Sequence, residues 1–180
     1  KLTGGMAMAD HLVIQNDHQN TEERSFAPID YQSVSREELL DFVKNAGMLG
    51  CGGAGFPTYV KYMKPDKVDL LIINAVECEP YLTTDYRMCF LHTDLLKTGV
   101  QAFFKLSMAK KCCIAVKEDK AELIALLQKT FADVQGVEVK TVPDKYPMGW
   151  ERELVWEITR KRYDKLPIAA GCIINNATTA

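Results

Sequence analysis

The sequence contains no long apolar run. Its runs are short, Leu70 to Ile73 being typical, against the ~20 residues that a membrane-spanning helix needs. No basic-then-apolar leader opens the chain, so neither direct membrane insertion nor a secretory signal is indicated. Neither sign of charge is in excess: 22 Lys and Arg stand against 24 Asp and Glu, a net charge of −2. No bulk field therefore draws the chain to nucleic acid or to an anionic surface. Histidine is scarce, with three in the chain, and no serine or cysteine is flanked by a recognisable base. Hydrolysis and acyl transfer lose their support, and no catalytic side chain is assigned. Six cysteines occur without a C-x-x-C, which removes the thioredoxin-type dithiol and the zinc or cluster knuckle. Six in 180 residues are also too dilute for a disulfide scaffold. Cys89 and His92 have ligand-like spacing, but a lone pair makes no metal site. The balance points to a reducing cytoplasm. Internal repeats and low-complexity stretches are absent too.

What is present is ordinary globular composition, 47% apolar and 26% charged. A chain of this length buries roughly 68–70% of its unfolded surface, enough for a core without disulfide staples. The chain starts at Lys1 without a Met and stops at Ala180 soon after the apolar Ile173-Ile174. That reads as a piece of a longer protein.

Along the chain, His11 to Asn16 is a short β-like run, followed by a polar loop over 17–23. Ser35-Arg-Glu-Glu38 is a capping box opening a helix over about 36–46, with Gly47 at its C′ position. A glycine-rich loop spans 50–58, where Pro57 suits a first helical position and Tyr59 to Tyr62 supply a short helix. Asp69 to Ala75 reads as a buried parallel strand. A helical region runs from Asp85 to about Ala109, with a break near Thr93 and with Leu96, Val100, Phe103 and Phe104 on one face. Cys112 to Val116 is a second strand, Asp119 to Ala132 a helix, Val137 to Val142 a third strand, Met148 to Arg160 a helix and Ile168 to Ile174 a fourth strand. Strands alternating with helices of this length mean a three-layer α/β/α domain with a mainly parallel sheet, Rossmann-like in type.

Two places carry binding chemistry. Four glycines fall within residues 50–55, and Gly50, Gly52 and Gly55 satisfy G-x-G-x-x-G by letter. The dinucleotide fingerprint demands a preceding strand, and here a helix precedes it. The physics survives in another form: glycines let backbone N–H groups approach a phosphate, the helix after Pro57 offers a positive N-terminus, and Lys61 adds a full charge. The second place is the carboxyl end of the first strand, where Asn74, Glu77, Glu79, Tyr81 and Asp85 gather. Ligands of α/β sheets bind at that edge. Asn175 and Asn176 close the last strand at the same edge, and Glu151 stands in the first turn of a helix after Gly149. Backbone glycines, a lysine, carboxamides and carboxylates without an acid–base pair suit a cofactor that carries the chemistry itself.

Three motifs occur in order: Gly50-Cys-Gly-Gly-Ala-Gly-Phe-Pro-Thr58, Asn74-Ala-Val-Glu-Cys-Glu-Pro-Tyr81, and Lys145-Tyr-Pro-Met-Gly149, with Asn175-Asn176 after them. Together they closely resemble the FMN-binding domain shared by the flavoprotein subunit of respiratory complex I and by RnfC-type electron-transport subunits. GAGFPTYVK and ECEPYLTTDYR look like RnfC; the electron-transfer protein associated with proline reductase is equally compatible. The resemblance covers about 35–180. It implies that residues 1–34 are the end of a preceding β-rich, barrel-sandwich-like segment with its linker. It implies FMN held by Gly50, Gly52, Gly53, Gly55 and Lys61, with Asn74 and Glu77 at the ribityl chain and flavin edge. Glu79 matches a carboxylate near a nicotinamide nucleotide, NADH being the expected donor or acceptor. Gly149 and Glu151 match the loop that closes over the flavin, and Asn175, Asn176 and Thr179 the terminal motif. The implied role is electron transfer between NADH and iron–sulfur clusters through FMN, beside other subunits of a redox complex, in the cytoplasm and peripheral to the membrane through those subunits. The 4Fe-4S cysteines of such proteins lie beyond residue 180, so these residues alone would bind flavin without completing the electron path. Cys51 stands where complex I has Arg, Val76 where it has Asp and Trp150 where it has Glu. These departures remove acceptors for a nicotinamide nucleotide and raise two alternatives: a cofactor-free docking module of a redox assembly, or a nucleotide-binding regulatory domain.

Overall fold

The computed structural model describes residues 10, 12–21, 27–64, 67–77, 79 and 81–180. The chain builds α1 (Arg36–Asn45), β1 (Leu70–Ala75), α2 (Thr84–Leu91), α3 (Thr93–Ser107), β2 (Lys111–Lys117), α4 (Ala121–Thr130), β3 (Val137–Val142), α5 (Glu151–Thr159) and β4 (Cys172–Asn176). Short 3-10 turns occupy Thr58–Tyr62, Pro167–Ala170 and Ala177–Thr179.

The four strands form one parallel sheet in the order β3-β2-β1-β4. Strand alternation divides the core into two layers. Leu71, Ile73 and Ala75 of β1 face α1, α3 and α4, while Ile72 and the following Val76 face Leu154 and Val155 of α5. The connections β1-to-β2 and β2-to-β3 thus place their helices on one face, and the return from β3 to β4 places α5 on the other. The strand order therefore reverses between β1 and β4. That crevice is the switch point at which open α/β sheets receive ligands.

Local signals act where the sequence shows them. Ser35 and Glu38 form the reciprocal capping box, which is worth ~1 kcal/mol. Gly47 follows with φ of +65°, the left-handed C′ residue. The helical region does break near Thr93: α2 ends at Leu91 and His92 separates it from α3. The thiols of Cys89, Cys112, Cys113 and Cys172 are buried, and burial pushes Cys89 and Cys113 up to about 12 and Cys172 to about 11. They are packing groups rather than reactive ones.

Four expectations need correction. Leu12, Val13 and Ile14 are exposed and belong to no strand, since no apolar surface covers that stretch; His11 of the same run lies outside the described residues. Pro57 is the N-cap, with extended ψ, and the helix after it is a five-residue 3-10 turn, too short for a sizeable dipole. The fourth strand starts at Cys172, because Pro167–Ala170 coil into a 3-10 turn and Gly171 at φ +78° turns the chain into the sheet. Phe104 is only partly buried and packs against the core, while Leu106 of the same helix is fully buried.

Candidate functional site

The glycine loop is closed at its neck and open at its tip. Gly50 N–H donates to Phe56 O at 2.8 Å and Thr58 N–H to Met48 O at 2.9 Å, with a bridge between Leu49 and Pro57. Cys51 N–H donates to Thr179 Oγ1 at 3.0 Å, which ties the loop to the chain just after β4. The amides of Gly52, Gly53 and Gly55 make no hydrogen bond among the described residues. Gly53 and Gly55 have φ of +96° and +57°, so their freedom from a Cβ is used to turn the tip. Free, successive amides in such a turn form a concavity suited to an anion.

The loop tip abuts β4. A Cβ on Gly52 would stand 2.6 Å from Asn176 Oδ1, so any larger residue here requires the Asn176 side chain to shift. From the next turn, Lys61 Nζ donates to Ile174 O at 2.6 Å and lies 3.9 Å from Glu151 Oε1. Its side chain is 22% exposed. Burial lowers its pKa, with Glu151 opposing the shift. Across the crevice, Asn74 Nδ2 donates to Gly149 O at 2.8 Å and Asn74 Oδ1 accepts from Val76 N–H at 3.1 Å. Asn74 and Asn176 are register partners in the parallel pair β1–β4. Glycine loop, lysine, two strand-end carboxamides and the start of α5 therefore meet at the switch point.

Other expected residues act differently. Glu77 turns toward α2, accepting from Asp85 N–H at 2.9 Å; burial raises its pKa. Asp85, itself buried, accepts from Thr178 N–H at 2.7 Å and from Thr178 Oγ1 at 2.5 Å. This Glu77–Asp85–Thr178 chain fastens the loop after β1 to the chain after β4. Glu77 and Tyr81 both take positive φ, so each carries backbone strain. Glu79 is exposed, and its side chain makes no hydrogen bond or ion pair among the described residues. Thr179 and Gly50 hold the loop rather than present free groups. The bridging role of Asp85 and Thr178 escapes sequence reading because their positions are 93 residues apart; the one available signal is Asp85 at a helix start. A cavity of about 180 Å³ lined by Met88, Cys89, His92 and residues 177–180 lies on the α2–α3 side. Among the described residues no three metal-ligating side chains cluster, and no helix is long and apolar enough to cross a membrane.

A parallel sheet with an amide-lined glycine loop and a lysine at its switch point defines a Rossmann-like domain of the nucleotide-phosphate-binding type. Comparison with known proteins narrows the class. The family model of the Nuo51 FMN-binding domain matches residues 43–180, and the chain belongs to that family. It is 35% identical over 153 residues to a subunit of the proton-translocating ferredoxin:NAD(+) oxidoreductase complex of Clostridium ljungdahlii, covering 83% of this chain and 33% of that protein. The chain thus spans about a third of this relative's length. Among solved structures, an NAD+-reducing NiFe hydrogenase in the H2-reduced state matches with a TM-score of 0.71 at 23% identity, over 81% of this chain and 29% of the other. An NAD+-reducing NiFe hydrogenase in the air-oxidised state matches with a TM-score of 0.69. At that identity the likeness establishes the fold.

The side chains present fit FMN on three observations. The loop tip offers unpartnered amides, Gly52 lets that tip lie against the Asn176 side chain, and Asn175 Oδ1 is a buried acceptor without a partner.

Proposed function

We propose that this chain is the flavin-holding part of an electron-transfer oxidoreductase that moves electrons between NADH and iron–sulfur clusters. The convergence of the free glycine amides, Lys61 and the strand-end carboxamides at the β1–β4 crevice carries this reading. FMN, when bound, supplies the exchange between two-electron and one-electron transfer. The chain's own residues bind, orient and exclude water. Gly52, Gly53 and Gly55 offer N–H donors to the phosphate, and Lys61 adds positive charge at the same end. Asn74 holds the Gly149 carbonyl and so sets where α5 begins. Glu151 keeps Lys61 charged against the desolvation that lowers its pKa. The exposed Glu79 is assigned to the nicotinamide side.

The clusters belong to other parts of a longer chain or to partner subunits, and the assembly is cytoplasmic and peripheral to the membrane. Residues 1–34 are the end of a preceding segment, and the domain proper starts near residue 35. Tyr31 to Val34 already dock on α3, where Lys105 Nζ donates to the carbonyls of Tyr31, Gln32 and Val34.

Titrating the apo-protein with FMN, followed by flavin fluorescence, tests the binding. Saturation at micromolar FMN is expected, with a loss of at least tenfold for Lys61→Ala. No saturable change overturns the reading. One observation favours the cofactor-free docking module: Val76 is 2% exposed and packs with Ile72 and Ile174, so it gives no polar contact to a nucleotide. On that reading Lys61→Ala and Glu77→Ala leave partner binding and electron transfer unchanged.

A further inference from the structure

The sheet has an open edge at β3, the outermost strand of the order β3-β2-β1-β4. Its six residues keep unbroken register with β2. Cys112 N–H donates to Gly136 O at 2.8 Å and Glu118 N–H to Val142 O at 2.9 Å. The backbone groups of successive strand residues point to opposite sides, so counting by two between these bonds turns Glu138 and Lys140 toward β2. The N–H and C=O of Val139 and Thr141 therefore point outward, and no strand meets them among the described residues. The Val137 carbonyl points outward too, while its N–H is taken by Val134 O at 3.3 Å.

Unpaired edges are commonly blunted by proline, a bulge or lysine. β3 has neither proline nor bulge, and its one lysine is matched by a glutamate two residues earlier. Glu138 and Lys140 lie on the sheet face that carries the buried Val142, yet both are exposed. Neither makes a hydrogen bond or ion pair among the described residues. Their order makes the edge complementary to itself. When an antiparallel copy sets its Val139 opposite Val139, Glu138 faces the second copy's Lys140 and Lys140 faces the second copy's Glu138. These are the non-hydrogen-bonded positions, where cross-strand side chains come closest. Sliding the copy to the next register on either side sets Lys140 against Lys140 or Glu138 against Glu138. An edge charged with one sign would repel in every register, whereas this one repels in the neighbouring registers and accepts one.

We propose that β3 is a self-association edge, on which a second copy of this chain pairs antiparallel about a two-fold axis at Val139. Two four-stranded sheets then become one continuous sheet. Val139 N–H donates to the second copy's Val139 carbonyl and Thr141 N–H to the second copy's Val137 carbonyl, each bond being made twice. The proposal does not depend on the flavin reading. An edge of six residues buries less than ~1,200 Å², so the dimer is weak and its population follows concentration.

Sedimentation velocity from ~1 µM to ~1 mM tests this, on wild type, Glu138→Lys, Lys140→Glu and Val139→Pro, with thermal melts to confirm folding. Wild type is expected to sediment faster as concentration rises. Each charge variant is expected to weaken association roughly tenfold, because the two-fold axis replaces two opposite-charge pairs by two like-charge pairs. An equimolar mixture of Glu138→Lys and Lys140→Glu is expected to recover association, since the mixed dimer restores both pairs. Val139→Pro removes the central donor at an edge position where proline is tolerated, and is expected to be monomeric. Wild type that stays monomeric throughout overturns the proposal. So does a mixture that associates no better than its separate components. Association that survives Val139→Pro also overturns it and moves the contact to another face, such as the exposed Leu91 and Leu95. Should Val139→Pro fail to fold, the mixing experiment decides alone.

Discussion

Gly52→Ala separates the stability of the fold from the integrity of the site. The added Cβ would lie 2.6 Å from Asn176 Oδ1 and 3.3 Å from its Cγ, and its three nearest neighbours all belong to that side chain. Gly52 is not among the glycines with positive φ, so backbone strain adds nothing. To restore ordinary contact the two groups must separate by several tenths of an ångström. The end of a side chain can yield that at the price of an off-rotamer Asn176, about 0.5–1.5 kcal/mol. In a domain of 150–250 residues each ~1 kcal/mol shifts the melting temperature by roughly 2–4 °C. Binding suffers more. A hydrogen bond to a charged group is worth about 1.5–3 kcal/mol, so displacing either the Gly52 amide or Asn176 from an anionic cofactor weakens FMN roughly 10- to 100-fold. The paired assay is a thermal melt of the apo-protein with a flavin fluorescence titration. Small thermal loss with large affinity loss is expected. FMN affinity within about twofold of wild type would refute the placement of the phosphate cradle, and a thermal loss beyond about 10 °C would refute the claim that only a side chain must yield.

Three further outcomes are expected. Glu77 is desolvated, and its folded-state pKa lies above the ordinary carboxylate value of 4.5; the folded chain therefore holds the extra proton, and stability declines as pH climbs from 4.5 through the raised value. Glu77→Gln keeps an acceptor for Asp85 N–H and lacks that decline, so denaturant midpoints of the two proteins should diverge in the variant's favour as pH rises, and parallel curves would contradict the burial argument. Asp85→Ala removes both bonds to Thr178 and leaves a half-buried N–H unpaired, which should cost about 1.5–3 kcal/mol in urea unfolding; a cost under ~0.5 kcal/mol would show that α2 is not fastened through this carboxylate. Deleting residues 1–29 should leave the melting temperature and FMN affinity unchanged, because among the described residues the first hydrogen bonds to the domain are those of Tyr31 with Gln101 and Lys105; a drop of more than about 4 °C in the melt would move the domain boundary.

Much of the architecture is legible from short-range physics. The capping box at Ser35 and Glu38 needs only residues three apart. The continuous apolar run of β1 needs only a sheet covered on both faces. The 3-10 turn at Pro167–Ala170 reads as strand in the sequence, because Ile168, Ala169 and Ala170 are apolar in either conformation and the pattern alone cannot separate them. The β-like stretch at Leu12 to Ile14 forms no strand for the opposite reason: local propensity is present, but among the described residues no partner strand is. In the site, Gly52, Lys61, Asn74, Gly149, Glu151 and Asn176 are recognisable from motif and spacing and do converge. Glu79 is exposed without a side-chain partner among the described residues, and Glu77 serves α2.

The sequence by itself determined the class of fold, the lack of a bulk charge field and the glycine-and-carboxamide chemistry of one sheet edge, since each depends on residue type and near-neighbour spacing. Only the tertiary structure decided how that chemistry is assembled. The reversal of strand order between β1 and β4 sets Asn74 beside Asn176, 102 positions later. Burial leaves Lys61 with one carbonyl and one carboxylate, and pins Tyr62 against Asn175 across 113 positions. Such pairings depend on how layers pack, and packing at long sequence separation leaves no periodic trace along the chain.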